Sequence, residues 1–584
     1  MIVPMKKVTL IVQAKDKETT IEKLAELGVL HIEHLQEPKG RELNLLKEEM
    51  QRLEEAKTLL SAFSPSVRGK ERLLDGKSFI IQVIDLGKRI KDLKEYTYRL
   101  EEEIKFWETW GDFEPEIIKE LEKKNIYIRL YQIPLRELKK IPEDIVIKEI
   151  SSQKGMVNCL LISRKEINFP FKKIPLPEMG LGKMKRVLQE KKDLLLSLEK
   201  EMREKSSFLP ALEEIRVELE KEKELAEAKI GMGEFGPLSY LRGYLPRESL
   251  EKFLNFSREQ AWGILIADPS PEDSVPTLLR NPPWIRILDP LFRFLAILPG
   301  YEELDISFWF LIFLCLFFGI LIGDAGYGMV YLVLTFWAKR KWGERIKEKA
   351  LFTLFYLLSF SAILWGIFSG TIFGQAWHPH FIKPLLPPLR NDKVVQNFCF
   401  FLGALHLSIA HFWKFLLKLP SLFSFAELGW ISILWGAYFL ARMLILGEIL
   451  PEFVRVIFLL GVSLVVLFTH PQKNIIKGWG EGMGALFLNL VSNFTDVVSY
   501  IRLFAVGLAG VAIADSFHSI ALDFAGRGFF SSLITAFILI LGHTLNLLLG
   551  PMSVLVHGVR LNLLEFCNHL EVKWKGFPYQ PLRK

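Results

Sequence analysis

Apolar and polar positions follow two different patterns along the chain. Up to about residue 300, short apolar stretches alternate with segments rich in lysine and glutamate. From Phe308 onward, apolar runs of about 17 or more residues recur, and roughly 20 such residues form a helix that crosses a bilayer core. The pattern therefore predicts a polar N-terminal half that could be soluble and an all-α, polytopic membrane half.

The N-terminal half contains strand and helix signals typical of α/β folds. The segment Thr19–Leu27 has the apolar spacing of an amphipathic helix and lies between two β-branched runs. The predicted strands are Val8–Val12, Val29–Ile32, Ile126–Ile133, Ile145–Ile150, Val157–Ile162 and Trp262–Ala267. Together with the helical segments between them, these strands predict an α+β half with two α/β lobes.

Three segments of this half carry heptad spacing of apolar residues with charged flanks. They run through Leu43–Leu60, Val83–Trp107 and Met184–Ala228, and Pro210 is expected to kink the third. Because these segments precede and follow a globular insertion, we predict an antiparallel coiled coil that joins the two lobes, with an ordinary helical bundle as the alternative. Nothing in this half has the pattern of a catalytic site, which favours a strut or docking platform.

The membrane half divides into about eight predicted helices. The block Ile306–Trp337 would be about 48 Å long as one helix, and Gly323–Gly328 interrupts it, which predicts two short spans in a hairpin. The further predicted spans are Leu351–Gly374, Asn397–Leu417, Ala426–Leu446, Phe453–Phe468, Glu481–Phe517 and Phe529–Phe566. The last two exceed the length of a perpendicular crossing and should be tilted or kinked.

Glycines at every fourth position predict close helix packing in the third span. Gly366, Gly370 and Gly374 share this spacing, and small residues let helix backbones approach each other in membranes. We therefore expect another helix to pack against this face.

Positively charged loops predict the orientation of the spans. The loop from Lys339 to Lys349 contains six Lys or Arg residues and should be cytoplasmic, as should the loop with Lys473 and Lys477. Eight spans then place both termini in the cytoplasm and the Pro-rich loop 375–396 outside. The predicted domains are a cytoplasmic domain 1–300, a membrane domain 301–570 and a cytoplasmic tail 571–584.

Arg502 lies in the middle of a long apolar stretch, in the sequence SYIRLFAVGLAG that begins at Ser499. A guanidinium keeps its charge in proteins, and placing it at bilayer depth costs roughly 2.5–3.5 kcal/mol. Small residues on the same helix face, such as Ala505 and Ala509, would let another helix approach it. Arg560 lies in the next apolar stretch, and two buried arginines in a membrane domain indicate an ion pathway.

A stripe of polar or small residues follows the last predicted span. Its members are spaced alternately three and four positions apart, which places them on one face of an α-helix. They are His543, Asn546, Gly550, Ser553, His557 and Arg560. Such a stripe either lines water or another protein, or makes hydrogen bonds between helices.

Acidic and hydroxyl residues near these spans are further candidates. Asp496 and Ser499 belong to a polar run that could hydrate one end of the seventh span, and the alternative is that Asp496 reaches outward from a helix end. Asp324, in the Gly-rich break, either pairs with a buried arginine or caps the next helix.

Composition argues against several classes of function. The net charge of +7 is modest and lysines alternate with glutamates, so nucleic-acid binding is not favoured. The four cysteines are scattered without CxxC spacing, which argues against disulfides and zinc. The sequence has no Gly-x-x-x-x-Gly-Lys-Ser/Thr loop, and we predict no nucleotide or other cofactor. Residues 1–7 lead into a strand-like segment, so no cleavable signal peptide is expected.

The stretch beginning at Ser499 resembles the signature of the membrane stator subunit of V-type rotary ATPases, which is subunit a of vacuolar enzymes and subunit I of bacterial and archaeal ones. The segments Gly542–Asn546 and Val556–Phe566 are similar to the last transmembrane helix of that family. Other segments that resemble family motifs are Gly323–Gly328, Leu402–His406 and Pro276–Pro282. The resemblance covers essentially the whole chain, and the two arginine motifs are its most specific part.

The resemblance implies that other subunits hydrolyse or make ATP, while this chain holds two offset ion half-channels against a rotating proteolipid ring. Arg502 would face the ion-binding carboxylate of a ring subunit and favour its ion-free form, with Arg560 in support. The N-terminal half would contact the peripheral stalks, and a central-stalk or ring-cap subunit and the lipid bilayer are further implied partners. The implied ion-translocation residues are Arg502, Arg560, His543, His557, Glu565, Asp496, Asp324, Ser499 and Asn546.

One position departs from the family pattern. Some relatives carry an acid about ten residues before the arginine of the last span, and here that residue is Gly550. The lining of the half-channels is therefore less defined than the two arginines. A self-contained secondary transporter and a membrane tether without transport are alternatives to the rotary motor, and both H+ and Na+, and both pump and synthase, stay open.

Overall fold

The structure is a computed structural model that describes residues 1–63, 75–138, 145–153, 155–166, 169–346, 348–376, 391–469, 475–526 and 528–583. These residues form two compact units. One contains residues 1–8, 243–260 and 265–581, and the other contains residues 9–242, 261–264 and 582–584. Parts of the predicted loops lie outside the described residues, namely Lys347, Lys473, Lys584, residues 377–390 and the side chains of Lys477 and Glu481.

The N-terminal part has the predicted mixed α/β character. Its strands are β1 (Met5–Gln13), β2 (His31–Glu33), β3 (Tyr127–Pro134), β4 (Val146–Gln153), β5 (Met156–Ser163), β6 (Lys172–Ile174), β7 (Gly233–Phe235), β8 (Leu238–Pro246) and β9 (Gly263–Ala267). One antiparallel sheet has the order β4-β5-β3-β6, and the other has the order β2-β8-β1-β9 with β7 paired to β8. Every predicted strand overlaps one of these strands.

Of the seven helices in the described residues of this part, four pack around one set of apolar side chains. The seven are α1 (Lys17–Leu27), α2 (Arg41–Ser61), α3 (Gly76–Glu108), α4 (Pro115–Lys123), α5 (Leu181–Lys205), α6 (Leu209–Ile230) and α7 (Leu250–Glu259). Residues of α2, α3, α5 and α6 share one buried core that includes Leu53, Val83, Met202 and Leu212.

Ion pairs show that α3 and α5 run in opposite directions. The pairs are Glu108–Lys185, Glu101–Lys192 and Lys94–Glu199. Along α3 the partners step down by seven residues while along α5 they step up by seven. The antiparallel direction agrees with the prediction for this pair, and the coiled coil itself stays a prediction.

Pro210 does not kink a continuous helix, which corrects the prediction for the third heptad segment. Helix α5 ends at Lys205, the 3-10 turn Ser206–Phe208 follows, and α6 begins at Leu209. Pro210 therefore lies in the first turn of α6. At that position the missing N–H has no partner to lose, so proline starts a helix without disturbing it.

The C-terminal part is helical. Its helices are α8 (Asp289–Phe294), α9 (Ser307–Ile322), α10 (Ala325–Trp342), α11 (Lys349–Ser369), α12 (Asp392–Lys418), α13 (Ser424–Ala441), α14 (Glu452–Phe468), α15 (Ile475–Ser499), α16 (Ile501–Phe524), α17 (Phe529–Ser553) and α18 (Cys567–Leu570). The short strands β10 (Thr371–Ile372) and β11 (Gln375–Ala376) pair after α11. The described residues contain five helices long and apolar enough to cross a membrane, or six if the bent pair α9 and α10 counts as one. The eight-span count stays a prediction.

The predicted break in the first apolar block is present. Helices α9 and α10 meet at an angle of 119°, and Gly323 takes a left-handed conformation with φ of 66°. Asp324 is buried, and its carboxylate accepts hydrogen bonds from the backbone N–H of Tyr327 (3.0 Å) and of Gly374 (2.7 Å). Of the two predicted roles, the structure therefore shows Asp324 capping the next helix.

Only the first of the three spaced glycines lies in the third span, which corrects the predicted stripe. Helix α11 ends at Ser369, and Gly370 and Gly374 follow with φ of 71° and 77°. These left-handed conformations favour glycine because they are strained for residues with a Cβ. Within α11, Gly366 provides the predicted close contact, and Gly374 approaches Ala514 of α16 from the segment that follows the helix.

The helix geometry changes within each of the two long spans that are predicted to be tilted or kinked. Helices α15 and α16 meet at Tyr500, and α17 contains Pro551 and is followed by π-helical turns at Val554–Gly558 and Leu561–Phe566. A π-helical turn takes up an extra residue and is frequent at functional sites. Arg502 lies next to the junction at Tyr500, and Arg560 lies between the two π-helical turns.

Candidate functional site

Arg502 and Arg560 converge on one buried carboxylate. Arg502 Nη2 lies 2.6 Å from Glu565 Oε1, and Arg560 Nε lies 3.6 Å from the same oxygen. The side chain of Glu565 is 6% exposed, whereas those of Arg502 and Arg560 are 24% and 52% exposed. Glu565 is therefore the buried partner of both arginines, whereas the side chains of Arg502 and Arg560 are partly exposed at the protein surface.

The break at Tyr500 positions Arg502 at the start of α16. Arg502 Nε donates a hydrogen bond to the backbone oxygen of Ser499 (2.9 Å), and Ser499 Oγ donates to the backbone oxygen of Asp496 (2.7 Å). The guanidinium is thus tied to the end of α15 as well as to Glu565. These two contacts fix the direction of the guanidinium group before a partner binds.

A buried histidine holds Tyr500 in place. His406 of α12 is fully buried and stacks between Phe313 (ring centroids 3.7 Å apart) and Phe566 (4.2 Å). Its Nδ1 lies 2.8 Å from the hydroxyl of Tyr500, and its Nε2 has no hydrogen-bond partner among the described residues. Among the described residues, the Tyr500 hydroxyl is thus the one hydrogen-bond partner of this ring. Tyr500, Phe313 and Phe566 belong to one apolar core of the membrane half.

Replacing Tyr500 with phenylalanine is expected to destabilise the chain by about 1–3 kcal/mol, because the buried His406 ring loses its partner. Thermal unfolding of the purified full chain would measure the loss. Tyr356→Phe is the matched control, since the described residues offer no partner to that hydroxyl, and it should leave the melting temperature almost unchanged. Equal melting temperatures for both variants would contradict the anchoring role of Tyr500.

A polar cavity of about 310 Å3 lies near the end of α15. Its lining is charged or amide-rich in an otherwise apolar part of the chain, and includes Asp496, Asn489, Asn493, Lys414, Lys418, Glu427, His411, His569 and Glu571. Lys414 Nζ lies 2.6 Å from Glu571 Oε1, and this ammonium lowers the pKa of the Glu571 carboxyl below its usual range. We call this space the polar cavity.

Four buried or half-buried side chains at the polar cavity form one hydrogen-bonded row. Glu427 Oε2 lies 2.6 Å from His411 Nδ1, and His411 Nε2 lies 2.8 Å from His569 Nδ1. His569 Nε2 lies 3.2 Å from Asp496 Oδ2. The row joins α13, α12, α18 and α15, and it begins at Glu427, whose other oxygen contacts Lys414 (3.5 Å) and Lys418 (2.5 Å).

A second cavity, of about 290 Å3, borders α16 beyond Arg502. Its lining includes Asp324, Tyr327, Ala505, Ala509, Asn546, Gly550 and Ser553. Asn546 Nδ2 donates to the Tyr327 hydroxyl (3.0 Å) and to the backbone oxygen of Gly510 (2.8 Å), and the same hydroxyl lies 2.9 Å from His543 Nδ1. On α15 and α16, the residues that line the polar cavity precede Arg502 and those that line the second cavity follow it.

The predicted stripe on the last span divides into two parts, which corrects its placement on one continuous α-helical face. Asn546, Gly550 and Ser553 line the second cavity, whereas the π-helical turns change the periodicity before Arg560. His557 is half-buried within the first of these turns and lines neither cavity. The structure therefore groups His543 and Asn546 with Asp324 and Tyr327, and groups Arg560 with Arg502 and Glu565.

Sequence reasoning missed His411, Glu427 and His569. Glu427 and His411 are ionisable residues within predicted membrane spans, which is by itself a signal for a functional site. His569 follows the last span closely. Asp496 is one of the ion-translocation residues that the family resemblance implies, but the sequence does not link it to these three residues. Their meeting could not be predicted because it depends on the packing of four helices.

Comparisons with known proteins identify relatives over the whole chain. The chain is 32% identical over 627 aligned residues to the V-type ATP synthase subunit I of Borreliella burgdorferi, and the alignment covers 100% of both proteins. It is 29% identical over 632 residues to the V-type ATP synthase subunit I 1 of Treponema pallidum, again covering 100% of both. The A-type ATP synthase subunit I of Archaeoglobus fulgidus is 23% identical over 395 residues, 56% of each chain.

Two other comparisons add little. A scan against protein-family models finds no match. Among solved structures, the cytoplasmic N-terminal domain of subunit I, homolog of subunit a, of V-ATPase matches 45% of this chain and 100% of that domain, with 13% identity and a TM-score of 0.22. The assignment to a family therefore depends on the full-length sequence relatives.

Proposed function

Because the chain belongs to the family of V-type ATP synthase subunit I, we propose that it is the membrane stator subunit of a V-type rotary ATPase. In this role it takes part in ion transport and does not hydrolyse ATP itself. The proposed partners are a rotating proteolipid ring, peripheral-stalk subunits, a central-stalk or ring-cap subunit and the lipid bilayer.

The observation that carries the proposal is the pair of arginines on Glu565. An arginine that is 52% exposed on a membrane helix, as Arg560 is, is costly in lipid and calls for a polar or charged partner. A carboxylate of a ring subunit is such a partner. It would meet the outward faces of Arg502 and Arg560, while Glu565 keeps both arginines in place from behind.

The attraction between Arg502 and a ring carboxylate is strong enough to release the ion from the ring. At an effective dielectric constant of 20 and a distance of about 4 Å, a guanidinium and a carboxylate attract by roughly 4 kcal/mol. This corresponds to about 3 pKa units, so a ring carboxyl that faces Arg502 would lose its proton or bound cation. The fixed positive charge would also prevent ions from passing directly between the two sides.

We assign the two cavities to the two ion half-channels. The polar cavity contains Asp496, on the chain before Arg502, and the second cavity contains Asn546 and Asp324 and borders the chain after it. Ser499 and His543 belong to the same two groups through their hydrogen bonds. His557, beside Arg560 in sequence, would face the ring with it.

The proposed topology has eight spans with both termini in the cytoplasm. The domains are then 1–300, 301–570 and a tail 571–584, and the N-terminal domain would use its antiparallel helices as a coiled coil that joins two α/β lobes. A stiff helical pair suits contact with peripheral stalks, because a stator must resist the torque of the rotor.

Affinity purification of the chain from its host in mild detergent tests the assembly. Mass spectrometry is expected to find a small proteolipid together with ATPase head and stalk subunits. A chain that purifies alone, under conditions in which other complexes of the same membranes stay intact, would contradict the stator role and favour a self-contained transporter.

A further inference from the structure

An apolar cavity of about 560 Å3 lies between α8, α9, α11, α17 and the π-helical turn that follows α17. Of the sixteen described residues that line it, fourteen are apolar, and the other two are Arg293 and Glu348. These two form an ion pair of 2.9 Å, so the charges lie together at one place in the lining. The side chains of Leu314, Leu358 and Val554 belong to its wall and are buried. We call this space the apolar cavity.

The length of the apolar cavity matches one leaflet of a bilayer. Along α11 its lining begins at Glu348, directly before the helix, and ends at Leu358. Ten residues of α-helix extend about 15 Å, which is half of a hydrocarbon core of roughly 30 Å. The ion pair lies at the start of α11, next to the loop that is predicted to be cytoplasmic. A molecule that fills the cavity would therefore have its polar end at the membrane surface and its apolar end near the middle of the bilayer.

The apolar cavity opens to the surface of the membrane half. Three apolar residues of its lining are exposed, namely Phe294, Phe355 and Leu555. In a bilayer these side chains contact acyl chains, so an acyl chain can enter the cavity from the side. The chain then gains dispersion contacts with the buried wall.

Arg293 suits the phosphate of a phospholipid. Its Nη2 contacts Glu348 and its Nε donates to the backbone oxygen of Asp289 (3.4 Å), while Nη1 has no hydrogen-bond partner among the described residues. The side chain is 65% exposed, and Arg345 and Lys349 nearby in sequence to Glu348 are also exposed. Guanidinium groups bind phosphate through charge-assisted hydrogen bonds, and basic groups at the cytoplasmic ends of membrane helices favour anionic headgroups.

We propose that the apolar cavity binds one acyl chain of an anionic phospholipid, whose phosphate contacts Arg293. The second acyl chain stays in the surrounding bilayer. The inference goes beyond the proposed function, because it requires only that α9 and α11 lie in a membrane and involves neither the ring nor the transported ion.

A membrane helix of another protein fits the apolar cavity less well than an acyl chain. With side chains, a helix is 10–12 Å wide and rises 5.4 Å per turn, so one turn fills about 500 Å3. A cavity of about 560 Å3 would thus hold roughly one turn, whereas a spanning helix has five or more. An acyl chain is narrow and flexible, and its length in one leaflet agrees with the cavity.

A bound acyl chain would support the segment that carries Arg560. Pro551, Val554 and Val559 line the apolar cavity and precede Arg560 on the same interrupted helix. Since Pro551 has no N–H and the next turn is π-helical, this segment lacks regular α-helical hydrogen bonding. Contacts from a lipid would therefore stabilise the folded state, as any ligand that binds it does.

Photolabelling of the intact complex in phosphatidylcholine vesicles tests the site. The probe is phosphatidylglycerol with a diazirine in one acyl chain, and mass spectrometry identifies the labelled peptides. Labels are expected on Leu314 and Phe318 of α9 and on Val554. Phosphatidylcholine with the same diazirine should label these residues roughly tenfold less, because it lacks the net negative charge that Arg293 binds.

Headgroup variants separate a lipid site from an internal ion pair. Arg293→Gln should remove the preference for phosphatidylglycerol. Glu348→Gln should strengthen it, because the guanidinium loses a competing carboxylate. Arg340→Gln, exposed on α10 next to the same loop, is the matched control and should keep the wild-type preference. Equal labelling by the two lipids in the wild-type complex would overturn the headgroup contact, as would parallel effects of Arg293→Gln and Glu348→Gln.

A cavity-filling variant tests the acyl-chain site itself. Leu351 lines the apolar cavity and is half-buried, and Leu351→Trp should reduce labelling of Leu314 and Val554 roughly tenfold. Leu357→Trp, on the same helix but outside the lining, is the control and should leave labelling unchanged. Phosphatidylglycerol added to the purified full chain should raise its melting temperature, and this increase should be absent in Leu351→Trp.

The acyl-chain site would be overturned by labels spread evenly over the exposed apolar residues of α11 and α14. It would also be overturned if the lining stayed unlabelled in the intact complex, as a covering subunit would cause. Arg293 is exposed, so its variant tests the site even if Leu351→Trp does not fold. Normal pumping by an Arg502→Ala complex would remove the proposed function without affecting the lipid site.

Discussion

Replacing Arg502 with alanine is expected to abolish ATP-driven ion uptake while the complex still assembles. The guanidinium supplies the charge that a ring carboxylate meets, and an attraction of roughly 4 kcal/mol is lost with it. The ring carboxyl would then keep its ion, and the fixed positive charge between the half-channels would be gone. Ion uptake by reconstituted vesicles, measured together with ATP hydrolysis and subunit composition, checks the prediction.

Two further arginine variants show whether the loss of ion uptake is specific to Arg502. Arg455, exposed on α14 and apart from the Glu565 pair, should tolerate alanine with near-normal uptake. Arg560→Ala should reduce uptake less than Arg502→Ala, because Arg560 lies farther from Glu565 and is more exposed. Normal uptake by the Arg502→Ala complex would refute the mechanism, and loss of subunits from it would point to assembly instead.

Local signals were sufficient to predict the arginine site. A charge that cannot be neutralised stands out in an apolar run whatever its neighbours are, so Arg502 and Arg560 could be found by composition alone. Their shared partner Glu565 could be named only through the family resemblance. The distance of 2.6 Å from Arg502 depends on how α16 packs against the π-helical turn that carries Glu565.

Spacing arguments failed where the helix type changes. The stripe from His543 to Arg560 assumed 3.6 residues per turn throughout, but π-helical turns after Pro551 alter that period. The prediction that three glycines share one helix face failed for a related reason. Gly370 has a positive φ and ends the helix, although the apolar pattern continues beyond it. A pattern of apolar residues specifies burial and does not specify which backbone hydrogen bonds are made.

The hydrogen-bonded row at the polar cavity shows the limit more clearly. Each of its four residues comes from a different helix, and none lies within a motif that spaces it relative to the others. The sequence therefore offers isolated ionisable residues in apolar surroundings, and only packing turns them into a row of hydrogen bonds. Buried polar groups need hydrogen-bond partners, so the sequence predicts that such residues contact one another. It does not predict which residues form each pair.

Gly366→Ala is expected to cost about 3 kcal/mol and to reduce the amount of folded chain in the membrane. A Cβ at Gly366 would lie 2.0 Å from the backbone nitrogen of Ala325 and 2.6 Å from its Cα. These are backbone atoms at the α9–α10 break, and they cannot move aside as a flexible side chain could. The displacement would also shift Asp324 and Tyr327, which line the second cavity.

The control for this prediction is another helical glycine of the membrane half. A Cβ at Gly484 in α15 would meet no atom of the described residues within 4 Å, so Gly484→Ala should be neutral, or stabilising by up to about 1 kcal/mol through helix propensity. Quantitative blotting of membranes and thermal unfolding of the purified complex would compare the two. Equal amounts and equal melting temperatures would mean that α11 can withdraw from the break, and the close contact at Gly366 would then not determine the position of Asp324.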